Sequence, residues 1–455
     1  MLTLSSFYNY PLGVRCGWVR ESSVASMAMT SALRRAWRPA SRRLMCTEVS
    51  SQVLIASPPA MRVIDLHRPK ALNALNSEMI DVLLPLLRDW QQVGGDVKVV
   101  VMRGSGERAF CAGGDIRYLH ECAAAYSAHG DPSALDGARD FFRREYTLNH
   151  TIGTSRIPVV SLVDGIVMGG GVGLSVHGDL RVATERTVFA MPETAIGFFP
   201  DVGGTYFLPR LRGSLGMYLG LTGARLRGRD VLTAGVATHY VPSERIEAVE
   251  ALLLEFASQT VGKAYTLEST KDSVDVDALS AAVRAVDQLD GGQRSANASA
   301  AAPELLTART LAEIDACFGG GRDLHSIIEG VNELAQGPSS AGEDGHGHWA
   351  VQAAKDLARA SPTSLAVTHE ALRRGGQCAT LGECLQMEYR LAQRFLRHPD
   401  MVSGIGAILS KSSAPVAWAE PPDVTQLEEW FSAGEYELAF EDVALRASKG
   451  TEQWS

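Results

Sequence analysis

Two glycine turns and two carboxylates are the parts of this chain with chemistry in them. Cys111-Ala-Gly-Gly-Asp115 and Met168-Gly-Gly-Gly171 each follow a short apolar run and precede a segment able to begin a helix. A strand that feeds through glycines into a helix start points bare backbone N–H groups at whatever lies there. Gly169, Gly170 and Gly171 carry no side chains, so a substrate can approach the backbone closely. Two N–H groups converging from different loops form an oxyanion hole, which stabilises charge developing on a carbonyl oxygen by about 3–4 kcal/mol per donor. Further on, Phe189-Ala-Met-Pro-Glu-Thr194 and Phe199-Pro-Asp-Val-Gly-Gly204 supply Glu193 and Asp201. Backbone donors beside carboxylates suit a reaction at a carbonyl. Read singly, these residues also have plain structural uses. The glycines fit close helix–strand packing, and Asp201 fits a helix N-cap before Val202-Gly-Gly204.

Other glycine-motif chemistries are excluded. No GxxxxGK[ST] run occurs, so a phosphate-cradling P-loop is absent. The dinucleotide fingerprint GxGxxG fails, because from Gly169 or Gly171 its last glycine falls on Leu174 or Val176. A nucleophile elbow GxSxG fails too, since Ser175 is followed by Val176 and His177.

The elements that must position these groups alternate through the first half. Val53–Ser57 and Met61–Leu66 read as strands, Ser77–Val93 as a helix with Met79, Leu83, Leu86, Leu87 and Trp90 on one face, and Lys98–Arg103 as a strand. A helix follows from Ile116 and another over Asp140–Thr151; Ile157–Val163 and Leu180–Thr184 read as further strands. Strands alternating with helices indicate an α/β core with parallel pairing. After Pro242 the texture turns helical, with amphipathic segments at Leu305–Ala335, Ala350–Ala360, Ser364–Gly375 and Leu381–Arg397 that are expected to cap the core. The expected organisation is a tail over 1–50, a core over 51–242, a helical region over 243–420 with flexible insertions near 268–303 and 336–348, and a C-terminal tail over 421–455. His346 and His348 fall in the second insertion and read as a solvated loop, so no metal is expected.

Composition narrows the class. At 455 residues, 45% hydrophobic and 21% charged, the chain matches ordinary globular usage, and a net charge of −9 argues against nucleic-acid binding through a basic surface. No apolar run reaches the ~18–20 residues needed to span a bilayer. The seven cysteines form no CxxC and no paired zinc spacing, and read as reduced thiols. The first fifty residues are Arg- and Ser-rich with only Glu21 and Glu48 as acids, the makeup of a mitochondrial presequence or a disordered basic tail.

Phe110-Cys-Ala-Gly-Gly-Asp115, Gly165-Ile-Val-Met-Gly-Gly-Gly171 and Pro192-Glu193 resemble the enoyl-CoA hydratase/isomerase (crotonase) superfamily. Phe141-Phe-Arg-Arg-Glu-Tyr146, Arg181-Val-Ala-Thr-Glu185 and Tyr206-Phe-Leu-Pro-Arg-Leu211 resemble its hydrolase branch, over about residues 52–418 apart from the two insertions. The resemblance implies an α/β fold, a spiral of ββα units with a mainly helical C-terminal half, that binds acyl-CoA across the two glycine turns. It implies Gly114 and Gly170 as the oxyanion-hole donors. Glu145, Glu193 and Asp201 would line the acyl pocket, with Lys70, Ala71 and Leu72 at the CoA end and no cofactor. Gly173 stands where a hydratase carries a second glutamate, which argues against water addition across a double bond.

Thioester hydrolysis fits what is left: the carbonyl is electrophilic, the thiolate leaves readily, and one carboxylate suffices. The resemblance points to the CoA ester of a 3-hydroxylated branched acid of valine breakdown, cleaved in the mitochondrial matrix. Glu193 either activates water or attacks to form an anhydride, and Asp201 holds the 3-hydroxyl. Two other uses of the fold stay open: an enoyl-CoA isomerase, and a structural subunit associated with a mitochondrial ribosome. A homo-oligomer is also open. Ser403-Gly-Ile-Gly-Ala-Ile-Leu-Ser-Lys-Ser412 departs from the resembling sequences, which carry an arginine where Gly406 stands. The resemblance puts that segment near the CoA entrance.

Overall fold

The computed structural model describes residues 47–92, 95–260, 276–287, 305–337 and 349–440. Up to Gln259 the order is β1 (Thr47–Ser50), β2 (Val53–Ala56), β3 (Met61–Leu66), α1 (Ser77–Trp90), β4 (Val99–Gly104), β5 (Ala109–Cys111), α2 (Ile116–His129), α3 (Asp136–Gly153), β6 (Val159–Val163), β7 (Ile166–Met168), α4 (Gly170–Ser175), β8 (Leu180–Ala183), β9 (Val188–Ala190), α5 (Gly204–Phe207), α6 (Leu215–Thr222), β10 (Leu226–Arg227), α7 (Arg229–Thr233), β11 (His239–Tyr240) and α8 (Ile246–Gln259). Then come α9 (Val276–Asp287), α10 (Ala308–Phe318), α11 (Leu324–Gln336), α12 (Trp349–Arg359), α13 (Pro362–Gly375), α14 (Leu381–Phe395), α15 (Pro399–Leu409) and α16 (Val424–Phe431).

Two sheets divide the strands. One has the order β1-β2-β3-β4-β6-β8-β11, antiparallel at β1-β2-β3 and parallel beyond; the other runs β10-β9-β7-β5. Successive strands therefore alternate between sheets: β4 then β5, β6 then β7, β8 then β9. Each pair is followed by helix, which is the expected spiral of ββα units. β4 and β6 are buried along their lengths and read as continuous apolar runs, as strands covered on both faces must.

Four expectations need correction. The apolar run before the second glycine turn does not feed it directly. β6 ends at Val163, Gly165 (φ 89°) redirects the chain, and the short β7 joins the second sheet before the turn. A β-carbon on Gly165 would stand 2.6 Å from the Arg108 carbonyl oxygen, so no larger residue fits this crossing. Second, Thr47–Ser50 is a strand paired with β2, not part of a tail. Third, α9 lies inside the span expected to be flexible. Its Leu279, Val283 and Val286 repeat at helical spacing and are buried beside Val249 and Leu253 of α8; abundant Ala, Ser and Asp disguised that stripe. Fourth, α16 lies in the expected C-terminal tail. Asp423 and Gln426 form its capping box, and Trp430 packs 4.6 Å from the Phe395 ring. Residues 1–46, His346 and His348 lie outside the described residues.

Helices α13 and α14 cover the core, packing against α5, α6 and α3. Contact is close at Gly375, where a β-carbon would meet the Thr205 carbonyl oxygen at 2.0 Å. Gly375→Ala should accordingly lever α13 off that turn and destabilise the protein by about 1–3 kcal/mol, read as a lower urea midpoint. An unchanged midpoint would mean the contact is not close.

Candidate active site

Strands β5, β7 and β9 are parallel neighbours in the second sheet, so their C-terminal ends open at one edge. The chain leaving β5 supplies Gly113 and Gly114, that leaving β7 supplies Gly169 and Gly170, and that leaving β9 runs through Pro192 into a 3₁₀ turn beginning at Glu193. Sheet register thus brings together residues as far apart in the sequence as Gly113 and Glu193. A β-carbon built on Gly170 lies 3.1 Å from the Gly114 nitrogen and 2.6 Å from Glu145 Oε1; one on Gly169 lies 2.8 Å from Glu193 Oε1. Two backbone turns and two carboxylates therefore border one small volume, open only because both positions are glycine. Gly169 (φ 47°) also takes a left-handed turn into α4.

Glu145 is carried by α3 and is buried, only 2% exposed, so it is not a surface helix charge. Asp201 is not an N-cap either. The cap of α5 is Gly203, while the Asp201 carboxylate accepts a hydrogen bond from the Tyr146 hydroxyl at 2.8 Å. Glu145 Oε1 and Glu193 Oε2 are buried and without a hydrogen-bond partner among the described residues. A buried acceptor left unpaired costs about 1–3 kcal/mol, which folding alone gives no reason to retain.

Burial dominates the electrostatics. It pushes Glu145 well above the usual carboxylate range, aided by the charges of Asp201 and Glu193, and pushes Glu193 up in the same way, aided by Asp201. Asp201 is raised to about 7 by burial, opposed by the Tyr146 hydroxyl. Like charges buried close together oppose one another's ionisation, which acts in the same direction as burial.

The turn after Asp201 is strained. Val202 has φ 53° and Gly203 φ 84°; a β-branched residue in the left-handed region costs on the order of 1–3 kcal/mol and persists only where its surroundings enforce it. His177 Nε2 lies 2.7 Å from the Val202 carbonyl oxygen, and Glu388 of α14 accepts from the turn's next donors. Tyr146, His177 and Glu388 carried no assigned role in the sequence reading. Tyr146 stood beside Glu145 in a quoted motif, but Glu388 lies 185 residues from its partner Gly203 and left no local signal.

Lys70, Ala71 and Leu72 are set apart from the carboxylates. Lys70 and Ala71 are exposed on a 3₁₀ turn, and Leu72 follows with φ 52°. They join the site through backbone pairing: Ala112 N–H donates to Leu72 O (3.0 Å) and Leu75 N–H to Gly113 O (2.8 Å). In the departing segment, Gly406 of α15 faces His120 of α2, and Gly404 packs against Ile196 of the Glu193 turn. Among the described residues no group of His, Cys, Asp and Glu is arranged to hold a metal ion, and no helix is long and apolar enough to cross a membrane.

Residues 61–429 match the family model for enoyl-CoA hydratase/isomerase. A curated relative named "3-hydroxyisobutyryl-CoA hydrolase, mitochondrial" from Danio rerio is 41% identical over 388 residues, covering 85% of this chain and 90% of that protein. The Homo sapiens protein of the same name is 39% identical over 386 residues, covering 84% and 88%. Among solved structures, a carnitinyl-CoA dehydratase from Mycobacterium thermoresistibile is similar at a TM-score of 0.67 and 33% identity, covering 87% of this chain and 100% of that one.

The raised carboxyls have a consequence for stability. Each binds its proton more tightly in the folded state than unfolded, so their contribution is favourable at acid pH and is lost as pH rises through the folded values. Glu193→Gln removes one of these groups. It should therefore raise the thermal midpoint relative to wild type at about pH 8, with the gap closing near about pH 4.5. A variant less stable than wild type at the higher pH would contradict the burial of that charge.

Proposed function

The chain belongs to the enoyl-CoA hydratase/isomerase family, and from that premise we propose that it hydrolyses 3-hydroxyisobutyryl-CoA to 3-hydroxyisobutyrate and CoA. One observation carries the reading. Gly114 and Gly170 approach each other across the ends of adjacent strands, while the buried carboxylates Glu193 and Glu145 reach into the same volume. The names of the relatives, each a hydrolase of this ester, support the same substrate for this chain. They favour neither an isomerase nor a structural ribosomal subunit.

In the reaction, the thioester carbonyl oxygen lies toward the Gly114 and Gly170 amides. Neither amide donates to another backbone group among the described residues. Glu193 takes a proton from water as the water oxygen adds to the carbonyl carbon, and charge builds on an oxygen already facing two donors. The tetrahedral species collapses, the C–S bond breaks, and the proton held by Glu193 passes to the departing thiolate. Direct attack by Glu193, giving an anhydride that water then opens, uses the same geometry. Asp201, steadied by Tyr146, holds the 3-hydroxyl, so acyl groups lacking it leave a buried carboxylate unpaired. Glu145 orients water or that hydroxyl from the opposite wall. Gly173 has no room for a second acid: a β-carbon there would stand 2.7 Å from both Asn149 Nδ2 and Val202 Cβ. The CoA end runs past Leu72 toward Lys70. The Arg-rich leader and the word "mitochondrial" in the relatives' names support a matrix location.

Thiol release over a panel of acyl-CoAs tests this. Turnover should be greatest for the branched 3-hydroxyacyl ester, Glu193→Gln should abolish nearly all of it, and Asp201→Asn should narrow the preference for the hydroxyl. Gly170→Ala, whose β-carbon would enter the gap beside Gly114, should cost about 10²–10³-fold in rate while the fold persists. Wild-type-like turnover by Glu193→Gln would refute its role. Equal turnover of esters with and without the hydroxyl would refute the substrate.

A further inference from the structure

The strained turn after Asp201 is held by a residue from the helical half. Glu388 lies on α14 with no solvent exposure. Its Oε2 accepts from the Gly203 amide at 2.7 Å, and its Oε1 accepts from the Thr205 amide at 2.9 Å and the Thr205 hydroxyl at 2.6 Å. All three donors belong to the segment that leaves Asp201 and enters α5. The Tyr206 and Phe207 amides are already committed to the Gly203 carbonyl, so the turn has few other ways to satisfy its N–H groups.

Two left-handed residues in succession, Val202 and Gly203, aim the peptide planes at this carboxylate. Gly203 admits no side chain, because a β-carbon would stand 2.3 Å from His177 Nε2. The turn is thus clamped from two sides, by His177 at the Val202 carbonyl and by Glu388 at the Gly203 and Thr205 amides, while the Gly204 amide between them donates to the Asp201 carbonyl. Three donors converging on two oxygens call for an acceptor-only group. Glutamine would set its own N–H₂ against one of those N–H groups, and an apolar residue would strand all three donors.

We infer that Glu388 is a positioning residue for hydrolysis: it fixes the turn 202–205 and thereby the direction of the Asp201 carboxylate against Tyr146 and the acyl pocket. Glu388 itself touches no reacting atom. The inference rests on the proposed role of Asp201, and its test separates the two.

Wild type, Glu388→Gln, Asp201→Asn and the double variant are assayed on 3-hydroxyisobutyryl-CoA and on isobutyryl-CoA, which lacks the hydroxyl, with thermal midpoints recorded for each. Glu388→Gln should lower kcat/KM for the hydroxylated ester about 10–100-fold, the scale of a carboxylate misplaced by a fraction of an ångström to an ångström. Adding it to Asp201→Asn should cost nothing more, since both act through one group. Losses that multiply in the double variant, or a Glu388→Gln enzyme within twofold of wild type, overturn the inference. Should Asp201→Asn depress both esters equally, the hydroxyl role of Asp201 fails, yet non-additivity still supports Glu388 as acting through it. If Glu388→Gln does not fold, Thr205→Val carries the same test: it deletes one bond, keeps both amides, and Thr205→Ser should restore the rate. A purely structural brace would lower the thermal midpoint without this coupling to Asp201.

Discussion

Burial of three carboxyl groups in one pocket is the constraint that the rest of the structure serves. Glu145, Glu193 and Asp201 are each almost inaccessible to solvent, and two carboxyl oxygens among them have no partner among the described residues. Charge burial on this scale costs several kcal/mol per ion and persists only inside a scaffold that cannot relax around it. Aromatic packing supplies part of that rigidity. Phe142 stacks on Phe198, Phe199 stacks on Phe395, and Phe198 packs against Phe199, which binds α3, the loop before Asp201 and α14 into one wall. That wall is apolar, and the burial it provides keeps the carboxyl protonation equilibria shifted upward.

The helical half does more than cover the core. It reaches the site at two backbone turns. Helix α14 sends Glu388 to the amides after Asp201, and α15 lays Gly404 against Ile196, one turn from Glu193. Asp400 at the start of α15 is itself anchored by the Ser361 hydroxyl (2.6 Å) and the Ala419 amide (2.7 Å). A change in the 403–412 segment therefore bears on the Glu193 turn as well as on the face toward α2. The sheet edge sets where the candidate site residues stand, and the helices brace the turns that carry Glu193 and Asp201.

How much of this was legible in the sequence follows from the range of each interaction. The strand–turn–helix units were readable because apolar runs and glycine turns are local signals, and the motif resemblance points to Glu145, Glu193, Asp201, Gly114 and Gly170. The three-residue strand β7 was not, since Ile166-Val-Met168 is too short to show periodicity and the stronger run before Gly165 drew the assignment. Helix α9 hid behind an Ala- and Ser-rich composition whose buried stripe appears only once β11 and α8 are in place beside it. Glu388 was invisible for a different reason. Its partners are backbone amides on a distant turn, and nothing in the residues flanking position 388 marks a carboxylate that accepts rather than one that faces water.

Hydrolysis at this site requires the Gly114 and Gly170 amides together to polarise one carbonyl. The carbonyl stretch of 3-hydroxyisobutyryl-CoA, labelled with carbon-13 at the thioester and bound to the slow Glu193→Gln enzyme, measures this directly by difference infrared spectroscopy. A bound frequency below that of the same ester in water is expected, because two oriented backbone donors withdraw more electron density than bulk solvent does. A bound frequency equal to or above the aqueous value would contradict it.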